Sequence, residues 1–155
     1  MQKSETMSYD SKADTLEHIK RVNHFLTLMV EQLLKRARVH DDSKLKEPEK
    51  SEFDKLTPLL KTLTYSSEEY KDLLKQLNVA LKHHYENNTH HPEHYENGID
   101  GMNLIDILEM FADWLASTKR MKNGDILKSI DVSKTRFNMS DKLANIFRNT
   151  IDIIN

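Results

Sequence analysis

The chain has 155 residues, 37% hydrophobic and 31% charged, a size and balance that suit one soluble domain around a single core. Its net charge of −2, from 23 basic and 25 acidic residues, argues against a nucleic-acid backbone as partner. The absence of cysteine excludes disulfides, Cys-zinc sites and thiol nucleophiles, and no apolar run is long enough to span a bilayer.

A polar arm over residues 1–12 is expected to be flexible and to lack an apolar leader, which with the other features predicts a cytoplasmic protein. One domain is expected over residues 13–155, because no second boundary, repeat or low-complexity segment interrupts it. Only three Gly and three Pro are present, which favours helices.

From about Ala13 to Arg38, Leu16, Ile19, Val22, Leu26, Met29, Val30, Leu33 and Leu34 recur at three- and four-residue steps, an amphipathic helix. His18 lies close to that stripe. A short element follows around His40–Leu45. Pro48, between Glu47 and Glu49, reads as the first turn of a second helix that Pro58 kinks or ends early. Ser66-Ser67-Glu68-Glu69 predicts the cap of one helix running through Leu73, Leu77 and Leu81 to His84.

Asn87 to Pro92 and Asn97 to Gly101 are loops by composition. A strong helix is predicted from Asn103 to Met121, and two weaker ones around Asp125–Asp131 and Ser140–Ile154. The expectation is all-α, a single-domain bundle of about six or seven helices.

Histidine is out of proportion, with eight in the chain and five of them between His83 and His94. His40-Asp41 places an imidazole beside a carboxylate, a pair able to ligate one cation. By itself such a dipeptide is ordinarily a surface turn. Asp106, Glu109 and Asp113 share a helical face. A solvated acidic face is the plainer reading for Asp106, and less so for Asp113 with its apolar neighbours.

The order His18, His40-Asp41, His84, His90/His91, Asp113 resembles the HD superfamily of metal-dependent phosphohydrolases. His18 to Val22 is similar to the His-x-x-x-Val start of the first HD helix. His40-Asp41-Asp42-Ser43-Lys44 is similar to His-Asp-x-Gly-Lys, with Ser43 in place of Gly. His90-His91-Pro92-Glu93 and Ala112-Asp113-Trp114-Leu115 resemble the later HD segments. The gap from His18 to His40 is short for that superfamily. The segments from His83 to Glu93, Ile107 to Met110 and Thr135-Arg136-Phe137 also resemble a family of phage and bacterial proteins defined only as a domain of unknown function.

The resemblance implies an HD-like bundle in which His18, His40, Asp41 and Asp113 hold one cation. His84, His90 and His91 would hold a second, with Asp41 bridging. Mn, Fe, Co, Ni or Zn would suit these donors. The implied reaction is hydrolysis of a nucleotide or similar small phosphate ester by a metal-activated water, in the host cytoplasm if the chain is phage-encoded. Lys44, four residues beyond His40, would bind phosphate or protonate a leaving oxygen; an exposed lysine is the equal alternative. His83, Asp42 and Glu109 are candidates to support the ligands or touch substrate; helix phase decides between His83 and His84 and favours His84, which continues the apolar stripe, while whether both His90 and His91 touch metal is open. An HD-type di-iron oxygenase and a non-catalytic metal- or ligand-binding module are the rival readings, and self-association is open.

Overall fold

The computed structural model describes residues 9–64, 67–121 and 123–154, and among these the chain forms seven α-helices and no strand. They are α1 (Lys12–Val39), α2 (Glu49–Leu60), α3 (Glu68–Gln76), α4 (Asn78–Asn87), α5 (Leu104–Arg120), α6 (Ile126–Arg136) and α7 (Asp141–Ile154). Short 3₁₀ turns at Asp42–Leu45, Pro92–His94 and Gly98–Gly101 connect them. This is the all-α, single-domain bundle expected from the periodicity. The arm predicted over residues 1–12 lies mostly outside the described residues, as does Ser66 of the predicted cap. No described helix is long and apolar enough to cross a membrane.

The main core is C-terminal. Met110 and Phe111 of α5, Ile130 of α6, and Ala144, Phe147 and Ile151 of α7 bury together, with Ile99 and Met139. Phe111 stacks on Phe147 at 4.6 Å between ring centroids, and Trp114 meets Phe147 edge-on at 5.6 Å. Trp114 is therefore a packing residue. Helix α5 is held at its start by a reciprocal cap: Asn103 Oδ1 accepts from the Asp106 backbone at 3.1 Å, and Asp106 accepts from Asn103 N at 3.3 Å.

The single helix expected to end at His84 is two. The chain breaks at Leu77, the last residue of one turn and the first of the next, where φ is −81° and ψ 7°. Leu77 and Ala80 are fully buried; the bend turns both into the interior while α4 goes on to present His84.

None of the 28 residues of helix α1 is buried. Only its C-terminal end is partly covered, at Leu33 and Arg36, where it packs on α5. Leu16, Ile19, Val22, Phe25, Leu26 and Met29 stand between 42% and 59% exposed.

Candidate metal centre

Five segments converge on one carboxylate. Helix α1 ends at Val39, His40 turns the chain out of the helix, and Asp41 takes a left-handed conformation with φ 60° and ψ 15°. That conformation is uncommon outside glycine, and aspartate tolerates it better than most residues. It lets Asp41 cap the Asp42–Leu45 turn, with Lys44 N bonding Asp41 O at 2.9 Å, and aims the carboxylate inward. Helix α4 brings His84, the loop after it brings His90 and His91, and α5 brings Glu109 and Asp113.

The two oxygens of Asp41 serve different neighbours. Oδ1 lies 3.3 Å from His84 Nε2 and 3.6 Å from His90 Nε2. Oδ2 lies 3.5 Å from His40 Nε2 and 2.7 Å from Lys44 Nζ. His84 Nε2 and His91 Nε2 are 2.9 Å apart, and His40 Nε2 is 3.8 Å from Asp113 Oδ1. Donors sharing one cation at about 2.1 Å stand roughly 3.0–3.5 Å from one another. Three groups bring their donor atoms within 4.8 Å of one another, somewhat wider than that: Asp41 with His84, His90 and His91; His40 with Asp41 and Asp113; His40 with His90 and Glu109. The Asp41 Oδ1 and His90 Nε2 atoms are buried with no hydrogen-bond partner among the described residues. Such orphans are costly unless a ligand satisfies them, and the imidazole and carboxylate donors suit a divalent cation. The cluster can hold a metal ion.

A second tier of carboxylates faces the outer ring nitrogens. Glu109 Oε1 is 2.9 Å from His40 Nδ1 and 3.3 Å from His90 Nδ1. Glu49, with no exposure, sets Oε2 at 2.9 Å from His84 Nδ1 and Oε1 at 2.7 Å from His83 Nδ1. A proton on the Nδ1 of His40, His84 and His90 directs each Nε2 lone pair to the centre, the usual support of a histidine ligand. Ser43, at the position where the HD signature has Gly, donates to Glu49 at 3.0 Å and receives Asn88 Nδ2 at 2.8 Å. Arg36 of α1 ties the assembly to α5 by pairing with the fully buried Asp106 and approaching Glu109 Oε2 at 3.3 Å. Thr89 and the Tyr95 hydroxyl complete Asp106, each at 2.7 Å.

The electrostatics follow. The neighbouring carboxylates of Asp113 and Glu109 push His40 up to about 10 against the opposing effect of burial. Burial works to raise Asp41, but His84 and Lys44 outweigh it and hold the carboxyl well below its usual range. Burial likewise opposes the lowering of Glu109, which His40, His90 and Arg36 bring to about 2. Burial pushes His91 down to about 3, helped by His90 and His84.

The expectations for His18 and Asp106 are corrected. His18 is exposed on α1, 22 residues before His40, so a continuous helix sets them about 30 Å apart along its axis. It joins none of the donor groups. Asp42 is exposed and joins none either. His83 does not reach the centre; it binds the far oxygen of Glu49. Asp106, read as part of a solvated face, is the fully buried hub between Arg36, Thr89 and Tyr95. The residues brought together are His40, Asp41, His84, His90, His91 and Asp113, with Lys44 at the edge. Glu49 escaped notice because a glutamate beside Pro48 looks like an ordinary first-turn helix residue. A faint signal existed in its position just beyond the His40–Lys44 turn.

The fold and site define an all-helical protein with a histidine–carboxylate cluster suited to a metal ion. The chain belongs to DUF5662, a family of unknown function, whose profile matches residues 7–153. No curated protein and no solved structure matches it.

Proposed function

We propose that this protein is a metal-dependent, HD-type phosphohydrolase acting on a nucleotide or a related small phosphate ester. The observation that carries the reading is Asp41, whose two oxygens each face a separate set of imidazole nitrogens. That arrangement suits two cations sharing one carboxylate. His84, His90 and His91 would hold one; His40 and Asp113 would hold the other, without His18. A cation bound there supplies a lowered water pKa and neutralises charge developing on a phosphoryl group.

The chain's own groups do the rest. Glu109 and Glu49 fix the ring orientations of His40, His90 and His84, so no reorganisation is needed on substrate binding. Lys44 is only 30% exposed, lies 5.3 Å from the Phe53 ring centroid, and reaches Asp41 with its ammonium. Beside a bound phosphate it would hold an oxygen or protonate the leaving one.

The test is metal analysis of protein purified without chelator or nickel resin, followed by phosphate release from nucleotides with Mn, Fe, Co, Ni or Zn. One or two cations per chain, metal-dependent turnover and loss of both in Asp41→Asn are expected. Metal bound without phosphoester cleavage overturns the reading. Four imidazoles with carboxylates also suit iron, so a di-iron oxygenase is the second reading; iron content with oxygen consumption and no phosphate release would select it.

A further inference from the structure

We infer that α1 is a self-association helix, and that two copies of this chain pair antiparallel through its exposed stripe. Every residue from 12 to 32 is exposed, which leaves about 30 Å of helix with its apolar face in solvent. A helix that packs against nothing is marginal in water. Seven apolar side chains of α1 (the six already described with Val30) are about half exposed. At about 100 Å² each they present roughly 700 Å², close to the roughly 800 Å² that a stable interface takes from one partner.

The pattern favours an identical partner. Ile19, Val22, Leu26, Met29 and Leu33 follow alternating steps of three and four, the seam of a coiled coil. The positions flanking that seam are Leu16, Asn23 and Val30 on one side and His18, Phe25 and Gln32 on the other. None is Lys, Arg, Asp or Glu, so two copies meet without like-charge repulsion. A foreign helix is ordinarily selected by charges at those flanks. The charged residues Glu17, Lys20, Arg21 and Glu31 lie on the outer face.

Direction follows from where the body sits. The C-terminal end of the seam, at Leu33 and Arg36, already turns toward α5 of its own chain. A parallel partner would bring a second body to that same end, whereas an antiparallel one leaves the bodies at opposite ends. The register with matched layers sets Ile19 against Met29 and Val22 against Leu26 of the second copy. The start of the second helix then reaches a groove of about 440 Å³ between α1 and α5, lined by Met29, Gln32 and Leu104. Leu104, 59% exposed, closes over it.

Sedimentation equilibrium of the full chain tests this, with a mass twice 18.2 kDa expected. Leu26→Glu should give a monomer, while Lys20→Glu on the outer face should stay dimeric. The near-ultraviolet signal of Trp114, packed in the distant core, reports whether the body of Leu26→Glu remains folded. Because the chain has no cysteine, single-cysteine variants give a second measurement that does not depend on Leu26→Glu folding. With a bismaleimide that spans about 10 Å, Leu26→Cys, about 6 Å along the axis from its copy in this register, should cross-link to itself, and Leu16→Cys, about 24 Å from its copy, should not. Equal cross-linking of both overturns the antiparallel pairing. A monomer at about 100 μM overturns self-association, and if that monomer co-sediments with phosphatidylglycerol vesicles the stripe is assigned to a lipid surface.

Discussion

Glu49 holds His84 from behind: its Oε2 lies 2.9 Å from His84 Nδ1, and both side chains are almost wholly buried. The pairing joins the start of α2 to the end of α4 across 35 residues, and it leaves His84 Nε2 facing Asp41. The same carboxylate holds His83 with its other oxygen. A group with no role at the centre thus sets the orientation of a group that has one.

Glu49→Gln keeps the shape and removes the charge. A 10- to 100-fold loss of metal affinity is expected, the usual effect of losing a supporting carboxylate, with the helical signal unchanged. Chelator competition measures it. An affinity within twofold of the parent would show that Glu49 is structural only.

Removing the metal should destabilise the fold, because the cluster exists only in the native state. At free cation about 100-fold above Kd the stabilisation is about 2.7 kcal/mol, which for a chain of this size shifts Tm by roughly 5–10 °C. Thermal melts with and without EDTA check this, and Asp41→Asn should melt at one temperature in both.

The pH dependence separates the metal-free protein from the loaded one. His40, pushed up to about 10, contributes stability that is fully present below 6.5 and lost as pH rises through 10. Glu109, brought down to about 2, contributes stability present above 4.5 and lost as pH falls toward 2. His91, pushed down to about 3, acts against the fold as pH falls below 6.5, because the unfolded chain takes up its proton first. Metal must displace the His40 proton, so affinity should rise with pH across the neutral range. Titration calorimetry in buffers of different ionisation enthalpy should detect at least one proton released per chain at pH 7.

Arg36→Ala should cost about 2–3 kcal/mol in urea unfolding. It leaves Asp106 buried without its cation, and the full penalty for breaking a buried pair is discounted because Arg36 is 30% exposed. Arg36→Lys should recover little, since one ammonium cannot reproduce the fork that meets both Asp106 and Glu109.

Much of this protein is legible in the chain. The stripe from Leu16 to Leu34 specifies a long helix, and Asn103 with Asp106 marks the start of α5, because both signals are local and repeat at the helical period. The clustering of His84, His90 and His91 near one another follows from short spacing alone. What periodicity treats as solvent-facing is where it fails: Glu49 and Asp106 read as helix-surface carboxylates, yet both are fully buried. Their burial depends on His83, His84, Arg36 and Tyr95, partners up to 70 residues away, and no local pattern encodes such a pairing.

His18 shows the opposite failure. Its sequence order suited a ligand, but order carries no distance, and an unbroken helix moves it away from His40 by 1.5 Å for every residue between them. The sequence by itself determined that the chain is helical, lacks cysteine chemistry and concentrates imidazoles around residues 83–94. Only the tertiary structure decided which carboxylates face those imidazoles, because burial and pairing of charge are set by the packing of α1, α2, α4 and α5, not by the chain's local period.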